Sequence, residues 1–292
     1  MEKRKKKRGD RFDGYLLKDE VPSMNRFTAY LFPNRSDSEA YIQQTVDLRP
    51  IEAYLAKKNE GLEKDKYNYF QVIMAALIKC FVLRPRMNRF IAGNRMYMRD
   101  HISVSFVVKK HFADTSEEGL AYKHYGAKDT IDTMHTSILE EIYQCRRDDV
   151  KDNSNDFMDK FMKLPHWALK LAVKILFALD RCGKVPYELI KADPNYSSIF
   201  LTNLGSIGLQ SGYHHLNNWG TNSFFCVIGK KRLAPEWHAD GSYSVRPVIG
   251  LGLTIDERIG DGFYYSGTVR LLQKILENPE ILEQPFDTPV EY

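Results

Sequence analysis

Apolar residues recur with helical spacing in several long segments of the chain. The strongest segment, Tyr69 to Leu83, is apolar on nearly every face and stops before Pro85, as helices do before a proline. This pattern predicts a buried helix. Amphipathic spacing predicts further helices over residues 51–55, 131–145, 164–180 and 263–277.

Short apolar runs bounded by Gly, Asn and Pro predict strands between these helices. Residues 89–92 and 96–98 flank Gly93 and Asn94, a pair typical of a tight hairpin turn. The other strand candidates are residues 45–48, 102–108, 198–203, 223–229, 243–248 and 250–255. The combination predicts an α/β chain of the α+β two-layer sandwich type, in which helices flank one side of a mixed β-sheet.

The helix predicted over residues 164–180 is apolar on most of its surface. Pro165 suits its first turn, Gly183 suits its C-cap, and Lys170 and Lys174 form one polar stripe. Its apolar stretch is shorter than the about 20 residues that a bilayer span needs, so we expect no transmembrane helix. Three interpretations stay open: a helix packed on the domain, a groove for a long acyl chain, and an interfacial membrane contact.

The composition excludes two classes of protein. With 292 residues, 43% of them hydrophobic, the chain can bury a sizeable core, so neither a disordered regulator nor a disulfide-stapled miniprotein is expected. Scattered single cysteines predict neither a metal site nor a redox pair and favour a cytoplasmic protein. These cysteines are Cys80, Cys145, Cys182 and Cys226.

The positive charge is concentrated at the N-terminus. The net charge is +4, yet residues 2–8 alone contribute +5. We therefore expect residues 1–11 to form a basic flexible tail, with a nucleic-acid or anionic-lipid contact as the alternative, and no nucleic-acid partner for the remainder. Residues 12–292 are expected to form a single domain, with a helical insertion at about 146–195 that opens on a polar run.

Two short motifs carry most of the functional information. Residues 257–262 read E-R-I-G-D-G, and residues 200–205 read F-L-T-N-L-G. These runs resemble the His-x-x-x-Asp-Gly and Thr-Ile-Ser-Asn-Leu-Gly motifs of the catalytic domain of the dihydrolipoamide acyltransferases of 2-oxoacid dehydrogenase complexes. They resemble chloramphenicol acetyltransferase more distantly. The resemblance extends over roughly residues 12–145 and 196–282, and it does not cover residues 146–195 well.

The resemblance implies a chloramphenicol acetyltransferase-like fold and a homotrimer. It implies an acyltransferase that uses acyl-coenzyme A as co-substrate, needs no metal, and moves the acyl group to a small thiol, amine or alcohol acceptor. Glu257 and Asp261 of one subunit and the Thr202 hydroxyl of its neighbour would form the catalytic site. The sequence contains no lipoyl attachment site, so we expect no working component of a dehydrogenase complex.

Glu257 is the position where the chain departs from the family. In the proteins of the family, a neutral histidine at this position takes the proton from the attacking thiol or alcohol. An unperturbed glutamate has a pKa about two units below that of histidine, which costs about 3 kcal/mol, or roughly a hundredfold in rate. Burial of a carboxylate can close this gap. The alternatives are a carboxylate that is exposed or paired with an arginine such as Arg258, and a catalytically inactive relative that binds a ligand or serves in assembly.

The remaining candidate residues also have structural interpretations. Asp261 suits the N-cap of the last helix, and Thr202 suits an ordinary strand position. His214 and His215 are adjacent in a loop between two strands, and we hypothesise that one of them supplies the missing base. Because neighbouring residues on a strand point in opposite directions, we do not expect this pair to bind one metal.

Overall fold

A mixed sheet of seven strands organises the part of the chain that the computed structural model describes, residues 5–109, 118–145, 162–191 and 193–292. The strands are β2 (Glu39–Asp47), β5 (Ile102–Lys109), β6 (Glu118–Tyr125), β7 (Ile199–Asn203), β8 (Phe224–Ile228), β9 (Arg232–Trp237) and β10 (Tyr243–Asp256). Six of them lie in the order β2, β10, β8, β7, β5, β6, and β9 pairs with β10. β7 runs parallel to β5 and β8, and the other neighbours are antiparallel.

A second, three-stranded sheet contains the predicted hairpin. Its order is β1, β4, β3, with β1 at Gly14–Leu16, β3 at Arg89–Ala92 and β4 at Arg95–Arg99. Gly93 and Asn94 have positive φ angles of 54° and 60°, as a tight hairpin turn requires, so the hairpin is confirmed.

Seven α-helices lie in the described ranges. They are α1 (Ser23–Leu31), α2 (Arg49–Lys58), α3 (Tyr69–Leu83), α4 (Ile131–Cys145), α5 (His166–Arg181), α6 (Tyr187–Ile190) and α7 (Gly262–Glu277). The predicted buried helix is confirmed as α3, which begins with a reciprocal capping box between Asn68 and Gln71. None of these helices is long and apolar enough to span a bilayer.

Some of the other predicted helices and strands are confirmed, and others differ from the structure. The helices expected over residues 131–145 and 263–277 are confirmed as α4 and α7. The two strands expected over residues 243–248 and 250–255 are one continuous strand, β10, because Gly250 stays in the ladder opposite Thr45 of β2. Strands β1, β6 and β9 and helix α1 were not predicted, and the polar run 146–160 lies outside the described residues.

The two faces of the long sheet differ in what covers them. On one face, Leu251 and Leu253 of β10 join the largest buried cluster, which includes side chains of α3 and α7. On the other face, Gly250 and Gly252 lie against an extended segment, residues 208–216, that has no regular secondary structure. The predicted fold class, a mixed sheet with helices flanking one side, is confirmed, and the extent of the domain stays a prediction.

Candidate active site

A buried ion pair fixes the turn that follows β10. Asp256 is fully buried, and Arg258 donates to both of its carboxylate oxygens, from Nε at 2.8 Å and from Nη2 at 2.7 Å. Arg258 also donates from Nη1 to the carbonyl oxygen of Phe32 at 2.6 Å. Arg258 therefore pairs with Asp256, and the expected alternative of an ion pair between Glu257 and Arg258 is wrong.

Glu257 projects from this turn and is exposed in the single chain. Its backbone N–H donates to the carbonyl oxygen of Ser38 at 2.8 Å, which ties the turn to the start of β2. Its carboxylate forms no ion pair within the described ranges. Helix α1 packs against the same turn and exposes large apolar side chains, among them Phe27 and Tyr30. Glu257 thus stands next to an apolar surface.

Asp261 caps α7. Its Oδ1 accepts a hydrogen bond from the N–H of Tyr264 at 2.8 Å, so the expected N-cap is confirmed. In the described part of this chain, the carboxylate that binds an arginine at this turn is Asp256.

Thr202 lies at the end of β7, on the face opposite the helices. Ile199 and Leu201 point into the buried core, so the alternate positions Phe200 and Thr202 point to the opposite face. We call this face, on which segment 208–216 lies in place of helices, the open face. Thr202 is half-buried there and lines a cavity of about 540 Å³. The walls of this cavity are largely apolar, with Phe200, Phe225 and Val227 among them.

Segment 208–216 forms one wall of this cavity. It can follow this path because two residues of β10, Gly250 and Gly252, have no side chains. A Cβ added at Gly252 would overlap the carbonyl oxygen of Gly212, and one added at Gly250 would overlap the Ser211 hydroxyl. Only glycine lets a second backbone lie this close to the strand. The alternation of two glycines in β10 is the sequence signal for this crossing, and it was missed.

His214 belongs to the same cavity as Thr202. Its ring lies nearly flat on Phe225, with centroids 4.3 Å apart and 9° between planes, and it also stacks on His215. The expectation that the two histidine side chains point in opposite directions is wrong, because segment 208–216 is not a strand. Both histidines are exposed in the single chain, and of the two only His214 lines the cavity.

Arg35 connects several separate segments of the chain, and no sequence motif pointed to this role. Its buried guanidinium donates from Nη2 to the carbonyl oxygens of Ile91 at 3.1 Å and Gly220 at 2.9 Å, and from Nη1 to that of Asn217. Its Nε lies 3.7 Å from Asp256. Burial lowers the pKa of this guanidinium, although Asp256 opposes the shift.

Thr202 and Glu257 lie too far apart in one chain to contact one small substrate. Thr202 lies opposite Val227 of β8, and Val227 lies opposite Gly252 of β10, five residues before Glu257. Two strand spacings of about 4.8 Å and five rises of about 3.3 Å separate the two side chains by about 19 Å. A site that uses both residues therefore needs two copies of the chain.

The described ranges contain no cluster of His, Cys, Asp and Glu side chains arranged to hold a metal ion. The candidate groups are the exposed carboxylate of Glu257 and, about 19 Å from it in the same chain, the Thr202 hydroxyl and the His214 imidazole in a cavity with largely apolar walls. Such groups can accept a proton and donate a hydrogen bond to a developing oxyanion, which are the requirements of acyl transfer.

The family profile of the 2-oxoacid dehydrogenases acyltransferase (catalytic domain) matches residues 158–283. The match contains Thr202, both adjacent histidines and the turn of Glu257. It begins inside the segment that the resemblance of the sequence did not cover well. No curated protein sequence matches the chain significantly.

Several solved structures share the fold over most of their length. A probable dihydrolipoamide acetyltransferase from Listeria monocytogenes 4b F2365 has a TM-score of 0.55 and 16% identity, covering 89% of this chain and 94% of its own. The cubic core of the pyruvate dehydrogenase multienzyme complex has a TM-score of 0.53 and 14% identity, covering 91% and 94%. A chloramphenicol acetyltransferase has a TM-score of 0.52 and 13% identity, covering 90% and 99%. The chain therefore has the chloramphenicol acetyltransferase-like fold, and its residues 158–283 match the acyltransferase catalytic domain of the 2-oxoacid dehydrogenases.

Proposed function

We propose that this protein transfers an acyl group from a coenzyme A thioester to a thiol, amine or alcohol, at a site that two copies of the chain form together. Glu257 of one copy acts as the base, and the Thr202 hydroxyl of the other stabilises the oxyanion. The observation that carries the proposal is the turn after β10, where the buried pair of Asp256 and Arg258 holds the exposed carboxylate of Glu257. The resemblance of the sequence aligns this residue with the motif histidine of the family.

The proposed reaction needs one proton acceptor and one hydrogen-bond donor. Glu257 removes the proton of the acceptor group as that group attacks the thioester carbonyl carbon. The carbonyl oxygen becomes an oxyanion, which accepts a hydrogen bond from the Thr202 hydroxyl. When the carbon–sulfur bond breaks, the coenzyme A sulfur leaves with the proton held by Glu257. The acceptor gains the acyl group, and Glu257 returns to its ionised form.

Three features support assembly from several copies, for which we propose a homotrimer. The separation of about 19 Å between Thr202 and Glu257 prevents both from acting on one substrate in a single chain. The apolar side chains that α1 exposes beside Glu257 suit contact with a neighbour. One structure with this fold is the cubic core of a multienzyme complex. A neighbour that shields Glu257 from water makes its carboxylate a stronger base.

The proposal is tested by assaying a panel of acyl-coenzyme A donors with thiol, amine and alcohol acceptors. We expect measurable transfer by the unaltered protein, a loss of at least about a hundredfold in Glu257→Gln, and a loss of about tenfold to a hundredfold in Thr202→Val. Glu277→Gln, an exposed carboxylate at the far end of α7, is the matched control and keeps full activity. Tight coenzyme A binding without turnover would contradict the proposal.

A mixing experiment tests whether the site is shared. Co-expression of Glu257→Gln and Thr202→Val chains places an intact Glu257 and an intact Thr202 at some interfaces between copies. Random assembly gives about a quarter of all sites both intact residues, so we expect about a quarter of normal activity from two proteins that each lose about tenfold or more on their own. If the mixture is as inactive as its components, both residues do not act at one site between subunits.

His214 is a second candidate for the base, because it lines the cavity of Thr202 in the same chain. Replacement of His214 and His215 by glutamine distinguishes the two candidates. Loss of transfer in this double variant, with activity retained in Glu257→Gln, assigns the base to the histidines. Unchanged transfer removes them from the mechanism.

A further inference from the structure

Contacts at the C-terminal end of helix α5 anchor it to the domain. Asp180 is buried there, and it accepts a hydrogen bond from the Tyr196 hydroxyl at 2.7 Å and contacts Arg11 Nη2 at 3.3 Å. Phe177 also packs on Trp219, with ring centroids 5.6 Å apart. These contacts hold the last turn of the helix on the domain and leave the earlier turns at the surface.

The outward surface of α5 carries an apolar stripe. Trp167, Leu171 and Ile175 are spaced four residues apart, so they lie on one face of the helix. They are 71%, 51% and 50% exposed, although all three are large apolar residues. Leu169 and Leu176 lie on the opposite side of the helix, the side of the anchored Asp180, and both are half-buried. The exposed stripe is therefore distinct from the face that packs on the protein.

A stripe of positive charge runs beside the apolar stripe. Lys170 and Lys174 are four residues apart, and Arg181 follows two turns later on the same side of the helix. All three are exposed, and none forms an ion pair with a residue in the described ranges. The N-terminal segment brings further exposed cations to this end of the molecule, because Arg11 binds the last turn of α5 and Lys7 and Arg8 precede it.

We propose that α5 docks on the surface of an anionic membrane and lies parallel to the bilayer plane. The apolar stripe with its terminal tryptophan would enter the boundary between headgroups and acyl chains, and the cationic stripe would face the lipid phosphates. A bilayer surface presents these two chemistries side by side along the whole length of the helix. This docking does not depend on the acyl-transfer activity, since neither Thr202 nor Glu257 lies on α5.

Vesicle flotation with the full chain tests the proposal. Vesicles of equal parts phosphatidylglycerol and phosphatidylcholine are expected to carry the protein upward in a density gradient, and vesicles of phosphatidylcholine alone are not. Leu171→Gln with Ile175→Gln should lower the partition coefficient by at least about tenfold. Lys170→Gln with Lys174→Gln should lower it by about 25-fold.

Leu233→Gln with Val245→Gln is the matched control, because both residues are exposed apolar side chains far from α5 in the sequence, at 69% and 56%. This variant should float like the unaltered protein. The proposal is overturned if the unaltered protein does not float with anionic vesicles, or if the α5 variants float as well as the control. It is also overturned if the α5 variants lower the oligomeric mass in sedimentation velocity, which would make α5 a contact between copies.

Discussion

The two faces of the long sheet are built in opposite ways. On the helical face, β10 presents Leu251 and Leu253, both almost completely buried against α3 and α7. On the open face, the same strand presents Gly250 and Gly252, and residues 211–213 occupy the space that side chains would take. One face fills its space with side chains, and the other leaves out side chains so that another segment can approach.

This difference separates stability from site geometry. Large apolar side chains on the helical face stabilise the fold by burial. The glycines of the open face contribute little by burial, but they determine where segment 208–216 lies and therefore how close His214 comes to the cavity of Thr202. Changes on the first face should mainly alter stability, and changes on the second should alter the site as well.

Asp256→Asn should have the largest effect, because it breaks the ion pair at the end of the open face. Arg258 and Arg35 would keep buried charges without their carboxylate. Loss of one partner of a buried ion pair costs about 3–5 kcal/mol, so we expect a loss of that size in the free energy of unfolding. Denaturant unfolding measures it. Asp261→Asn, which preserves a cap, should change stability by less than about 0.5 kcal/mol.

The helical face could be predicted from the sequence, because its signal is local. Helix α3 begins and ends where its apolar spacing predicts, since each of its turns needs an apolar side chain against the core. Strand β9 escaped prediction because it is a largely exposed edge strand that contains Pro235 and has no fully buried residue. Edge strands of this kind lack the alternation on which prediction depends.

The candidate site could be predicted only in part. The motifs single out Glu257 and Thr202, and the structure places Thr202 on the open face of the sheet and Glu257 in the turn that follows β10. The arrangement between them depends on contacts such as those of Arg35, whose guanidinium binds carbonyl oxygens 56 and 185 residues away in the chain. Backbone carbonyls carry no residue identity, so no sequence pattern records these contacts.

Two substitutions at adjacent positions of β10 test the difference between the helical face and the open face directly. Leu251→Ala leaves a cavity on the helical face, and we expect a loss of about 2–5 kcal/mol in the free energy of unfolding. Gly252→Ala forces residues 208–213 away from the strand, at a cost of about 1–3 kcal/mol. Under conditions in which both variants stay folded, only Gly252→Ala should also reduce acyl transfer. Equal activity in both variants would show that the crossing does not shape the site.

Glu257→His tests how far assembly strengthens the carboxylate as a base. With a glutamate exposed to water as the base, the reaction is roughly a hundredfold slower than with a histidine. A glutamate that is well shielded from water does not have this disadvantage. We expect a gain of about tenfold in the transfer rate at neutral pH, since shielding by a neighbour closes part of the gap. Glu277→His is the control and should leave the rate unchanged. A rate that falls in Glu257→His argues against a base at this position.

Asp100→Asn should have the smallest effect, on stability alone, because this carboxylate lies outside the proposed site. Burial raises the pKa of Asp100, but hydrogen bonds from His101 at 2.7 Å and Lys6 at 2.6 Å lower it further than burial raises it. A lowered pKa in the folded state means that the stabilisation is present above about pH 4 and is lost as the pH falls through the folded value. We expect the variant to lose about 1–2 kcal/mol at pH 7. The difference between the two proteins should shrink below pH 4 in urea unfolding, and a difference that stays constant with pH would show that the lost stability comes from packing rather than from charge.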